Sequence, residues 1–167
     1  MAQFITQKEE ERYAELQKMA LNFARENRFE ELQKMIEAGM PVNLSDEKGQ
    51  TLLMLASYNG HNKTTRMLLE QGADVDRKND RGQTPLGGAA FKGYTEIAEL
   101  LIEYGADVHA DNGGGMAPVH YAAMFGRFEM VDLLEKHGAV LKSPGREHGK
   151  WLPFLARWIG KIRAFFR

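Results

Sequence analysis

An all-α repeat solenoid of about four helix-turn-helix units is the fold the sequence predicts. Three glycine series with one common step carry that expectation. Gly49, Gly82 and Gly115 are 33 residues apart. Gly60, Gly93 and Gly126 keep the step, and so do Gly39, Gly72, Gly105 and Gly138. A fixed period of this length is the mark of a stacked array, in which each unit buries its apolar face only against its neighbours.

The segments between the glycines supply the elements in order. Thr6 and Glu9 form a capping box. Tyr13, Leu16, Met19, Ala20 and Phe23 then recur at helical spacing, predicting one long helix over residues 7–26 that runs into the first unit. Each later unit opens on a helix-starting block, Thr51-Leu52-Leu53, Thr84-Pro85-Leu86 or Ala117-Pro118-Val119. Proline suits the first helical turn, where its missing N–H costs nothing. Small residues at Ala56, Ala89 and Ala122 let these short helices stack closely. The second glycine of each unit ends that helix, a place where a left-handed backbone favours glycine. Amphipathic helices follow at 64–70, 96–104 and 128–136, each with a leucine pair for the core (Leu68-Leu69, Leu100-Leu101, Leu133-Leu134).

The stretches GQTPLGGAAFKGYTEIAELLIEYGADV and MAPVHYAAMFGRFEMVDLLEKHGA resemble ankyrin repeats, and the whole is similar to small stand-alone ankyrin-repeat proteins of bacteria. The first repeat is degenerate, with Asn27 where later ones have glycine. The resemblance implies an ankyrin-repeat solenoid with β-turn fingers. Its parts are a capping helix at 1–17, an array at 18–142 (18–45, 46–78, 79–111, 112–142), and a linker with a basic amphipathic helix at 143–167. There are departures: Leu52 replaces the family's usual proline, and Met54 and Gly87 stand where it usually carries a histidine, which only His120 keeps. That histidine satisfies backbone groups between repeats, so its loss predicts reduced local rigidity.

The resemblance also implies a partner surface: the finger tips and the exposed side of each first helix. The matching residues are Glu47, Lys48, Asp80 and Arg81 on the fingers, and Tyr58, Asn59, Phe91, Lys92, Met124 and Phe125 at the helix ends. Tyr58, Phe91, Met124 and Phe125 make an apolar stripe across successive repeats, a candidate set of binding hot spots. Packing of these side chains against one another is the competing reading. The Gly113-Gly114-Gly115 finger reads as a flexible turn or as room for a partner's backbone.

The last 18 residues differ in character. Trp151, Leu152, Phe154, Leu155, Trp158, Ile159, Ile162, Phe165 and Phe166 share one arc of a helical wheel, with Lys150, Arg157, Lys161, Arg163 and Arg167 outside it. The chain has 22 basic and 23 acidic side chains, five of the cations lying here; the remainder has 17 against 23, a net charge of −6. Three roles suit this segment: a cap on the last repeat, an interfacial anchor at a membrane surface, or a helix for a partner's groove. Trp151, Phe154, Leu155, Trp158, Ile162 and Phe165 are the residues that would make the cap or membrane contact.

Other chemistries find no support. The chain has no cysteine, which excludes disulfides and thiolate chemistry. Its five histidines lack metal-ligand spacing. Asp74, Asp76 and Asp80 suggest a calcium loop, but Lys78 and Pro85 occupy positions that need ligands. The glycine run at 113–115 lacks the lysine of a phosphate loop, and the acidic body opposes nucleic acid. No apolar run is long enough to span a membrane, and the N-terminus has no secretory pattern, so the triplets headed by Asn43 and Asn62 are not expected to carry glycans. The expectation is a monomeric, cytoplasmic, non-catalytic module without cofactor that binds another protein, with peripheral membrane contact through residues 150–167 as the alternative.

Overall fold

A computed structural model describes residues 6–141. The predicted C-terminal helix, with Trp151, Phe154, Leu155, Trp158, Ile162 and Phe165, lies outside the described residues. The described residues form eight helices in two layers. The inner layer is α1 (Gln7–Arg25), α3 (Leu52–Tyr58), α5 (Pro85–Lys92) and α7 (Pro118–Met124). The outer layer is α2 (Phe29–Glu37), α4 (Asn62–Glu70), α6 (Thr95–Glu103) and α8 (Phe128–Lys136). Each helix touches its layer neighbours and its hairpin partner. The predicted solenoid is thereby observed. The boundary expected at residues 17/18 falls inside α1, which runs unbroken from the terminal cap into the first repeat.

Local signals explain the helix starts. Thr6 accepts from the Glu9 amide while Glu9 reaches back to the Thr6 amide, closing the capping box. Thr51 and Thr84 cap α3 and α5 through the amides of Met54 and Gly87. Ala117 has no side-chain oxygen; at that start the His120 ring nitrogen Nδ1 accepts from the Ala117 amide at 3.0 Å. The left-handed turns fall almost entirely to glycine, and two of them carry more than a conformational demand. Asn27 takes φ +59 without being glycine, and its side-chain carbonyl accepts from the Thr64 hydroxyl of the next repeat at 2.9 Å. Gly93, at φ +81, has a second constraint: a Cβ there would meet Arg127 Cδ at 2.7 Å.

The core lies between the layers. Leu32, Leu52, Leu68, Leu86, Leu101 and Leu134 are fully buried, each burial worth about 1.5–3 kcal/mol relative to exposure. Ala20, Ala24, Ala56, Ala89, Ala90 and Ala122 show no exposed surface, which is what lets the inner helices stack side by side.

Polar rungs join the units at the base of the loops. Asn43 accepts from the Asp74 amide at 2.8 Å, and one period later Asp76 accepts from the Asp107 amide at 3.0 Å. Burial pushes the Asp76 carboxyl above the usual carboxylate range; its bond from Asp107 opposes this, while the charges of Asp107 and Asp74 add to it. A raised acid pKa means that ionising Asp76 costs stability above that pKa and costs nothing once the group is protonated in both states. Asp76→Asn keeps the acceptor, as Asn43 shows, and removes the charge. It is expected to stabilise the fold by about 0.5 kcal/mol at neutral pH, a figure kept small by solvent screening, with the gain vanishing in acid. Urea midpoints of both proteins at neutral and acid pH would check it.

Candidate functional site

The three fingers are built on one carboxylate or carboxamide each. Asp46 Oδ1 accepts from the amides of Lys48 and Gln50, and Asn79 Oδ1 from those of Arg81 and Gln83. Their backbones close through Asp46 N–H to Gln50 O and Asn79 N–H to Gln83 O. The third finger keeps the backbone bond in register, from Asn112 N–H to Met116 O. The side-chain role, however, moves back one residue: Asp111 accepts from Gly113 and Gly115. The Asn112 side chain is thereby released from the turn, and it points inward.

There it fills the place that Gly87 leaves open. Asn112 is 2% exposed. Its Oδ1 accepts from the Thr84 amide at 2.7 Å and the Thr84 hydroxyl at 3.0 Å, and its Nδ2 donates to Ala110 O at 2.9 Å. The Tyr121 hydroxyl donates to its backbone carbonyl at 3.0 Å. A Cβ on Gly87 would lie 1.9 Å from Asn112 Oδ1. The loss of rigidity expected from the missing histidine at 87 is therefore offset by a carboxamide donated from the following repeat. Sequence reasoning missed Asn112, because only the paired change at 87 gives it meaning. At Met54 the replacement is apolar and buried.

Between the fingers and the inner helices lies a groove of about 490 Å³. Its walls include Arg25, Tyr58, Asn59, Arg81, Phe91 and Tyr121. Arg25 is held by Asp46 at 2.9 Å, which ties α1 to the first finger. Asn59 donates from its side chain to Leu55 O at 2.7 Å, and the Asp80 amide donates to Lys48 O, which links the first two finger tips. Glu47, Lys48, Asp80 and Arg81 are exposed.

The aromatic residues of the stripe meet. Tyr58 and Phe91 stack with centroids 6.3 Å apart and planes 13° from parallel, and Phe91 meets Phe125 edge-on at 4.4 Å and 66°. The Lys92 ammonium sits 4.6 Å above the Tyr58 ring. Met124 is half-buried. Mutual packing and exposure coexist, because Tyr58 remains 43% and Phe125 41% exposed at the two ends of the ladder. Among the described residues no cluster of three or more histidine or acidic side chains is arranged to hold a metal, and no helix is long and apolar enough to cross a membrane.

Comparison with known proteins agrees with this architecture. The pattern for ankyrin repeats in three copies matches residues 76–145, and that for ankyrin repeats in many copies matches residues 35–89. A Pseudomonas aeruginosa protein named for its ankyrin repeats is 44% identical over 46 residues, covering 28% of this chain and 27% of that protein. The matched stretch is thus about a quarter of the relative's length.

Proposed function

The chain belongs to the ankyrin-repeat family, whose members are typically non-catalytic protein-interaction scaffolds, and from that premise we propose that it is a cytoplasmic, monomeric module that binds one partner protein through its concave face. The observation that carries the reading is the Tyr58–Phe91–Phe125 ladder, which crosses three repeats beside the groove and keeps both ends open to solvent. Rigid aromatic surface of this kind costs little entropy to immobilise and dominates interface energetics. The exposed charges of Glu47, Lys48, Asp80 and Arg81 on the fingers, with Asn59 and Lys92 alongside, supply a polar rim that sets orientation and partner choice, while Met124 adds apolar contact to the stripe. A membrane-surface role would need residues 150–167 free to meet lipid.

Affinity capture tests the reading, with the wild type beside a Tyr58→Ala/Phe125→Ala double variant of matched thermal stability. One protein retained by the wild type and lost by the variant is the expected result. Identical captures by both baits would make the ladder a packing feature and remove the basis for this face as the site.

A further inference from the structure

Positions that an interior repeat buries lack that cover on the last one among the described residues, and there they stay apolar. Ala98 and Leu100 of α6 are 0% and 4% exposed. Their counterparts one period later in α8, Val131 and Leu133, are half-buried. Val108 is 7% exposed, and its counterpart Leu141 is 39% exposed. Phe128, at 68%, and Val140, at 52%, extend the same end of the stack. Phe128, Val131, Asp132 and Glu135 stand at i, i+3, i+4 and i+7, so they share one face of α8: apolar in its first turn, acidic further on. Among the described residues no ion pair uses Asp132 or Glu135. A terminal repeat exposed to water is expected to be polar over its whole outer face, and this one is apolar at Phe128, Val131, Val140 and Leu141.

We infer that the flank is covered by the chain's own residues 151–166. Chain connectivity puts this segment within reach: residues 142–150 join it to Leu141, and nine residues span up to about 30 Å. Its chemistry is the complement of the flank. The arc of Trp151, Phe154, Leu155, Trp158, Ile162 and Phe165 matches Phe128, Val131, Val140 and Leu141, and Arg157, Lys161 and Arg163 answer Asp132 and Glu135, which form no ion pair among the described residues. The same acidic pair disfavours anionic lipid at this face. The segment acts as a fifth layer of the stack, and it leaves the concave face open.

Trp151 and Trp158 are the only tryptophans in the chain, so indole emission of the full-length protein reads this segment alone. The expected result in lipid-free buffer is blue-shifted emission and acrylamide quenching several-fold weaker than in the isolated 150–167 peptide, independent of protein concentration. Asp132→Lys/Glu135→Lys, at two exposed positions, is expected to raise quenching towards the peptide's value with the helical circular dichroism unchanged. Phe128→Ser, also exposed, gives a second variant with the same expected direction. Peptide-like quenching in buffer that falls only when vesicles of phosphatidylcholine and phosphatidylserine are added would overturn the inference in favour of a membrane. Protection that grows with protein concentration would overturn it in favour of a second copy. Protection indifferent to all these substitutions would place the segment elsewhere.

Discussion

Gly87→Ala is expected to destabilise the protein by about 2–3 kcal/mol, although alanine is the better helix former in an ordinary helix interior. Intrinsic propensity alone predicts a gain of about 1 kcal/mol. The added methyl, however, would lie 1.9 Å from Asn112 Oδ1 and would displace that carboxamide from its bonds with Thr84. A buried Thr84 amide left without a partner costs about 1–3 kcal/mol. Asn112→Ala alone is expected to cost a similar amount, because it orphans the same amide and opens a void beside Gly87. The two substitutions together are expected to cost less than their sum by about 1–2 kcal/mol, the sign of sites that compete for one volume. Gly87→His with Asn112→Ala goes further, returning the family's histidine to emptied space. Urea unfolding of the four proteins of the alanine cycle measures the coupling; strictly additive losses would show that Asn112 does not occupy the missing side chain's role.

The largest effect on binding is expected at the aromatic ladder. Truncating Tyr58 or Phe125 to alanine removes rings already about two-fifths exposed, so stability should change little. Buried aromatic anchors at the centre of an interface lose about 2 kcal/mol or more on truncation, a fall in affinity of roughly 30-fold. Phe91→Ala differs in kind. Phe91 touches both neighbours, so its loss also frees Tyr58 and Phe125 to reorient, and affinity and stability should fall together. Lys48→Ala, on a finger tip, is expected to change the association rate and its salt dependence more than the lifetime of the complex. Titration calorimetry against the captured partner, with thermal melts of each variant, separates these outcomes.

Much of the fold was legible because the constraints that make it are local and recur every 33 residues. The left-handed turns, the threonine caps and the leucine pairs each act within a few residues, and each leaves a fixed residue type at a fixed offset. The capping box at Thr6 and Glu9 and the long first helix followed from the same local rules. What escaped the sequence is non-local. Asn112 and Gly87 are far apart in the chain, and each looks like an ordinary loop or helix residue until the other is placed beside it. Gly93 reads as a helix stop, and only the stack shows that Arg127 also presses on it. The stripe of Tyr58, Phe91, Met124 and Phe125 was visible as a list of positions; that its rings both pack together and stay exposed depends on distances between repeats, which no single-repeat rule supplies.

The inward turn of Asn112 has a chemical consequence for how the protein ages. An asparagine followed by glycine is prone to deamidation: the glycine amide nitrogen attacks the side-chain carbonyl carbon, ammonia leaves, and hydrolysis of the cyclic imide yields a carboxylate. Asn112 and Gly113 form such a pair. In the folded chain the Gly113 N–H is committed to Asp111, and both ends of the Asn112 carboxamide are bonded in a site closed to water. The reaction therefore needs the third finger to open first, and its product would set a negative charge against Gly87, where the donated bond to Ala110 is lost. The rate of that slow modification at Asn112 is a clock for excursions of one turn, running only while the third finger is open.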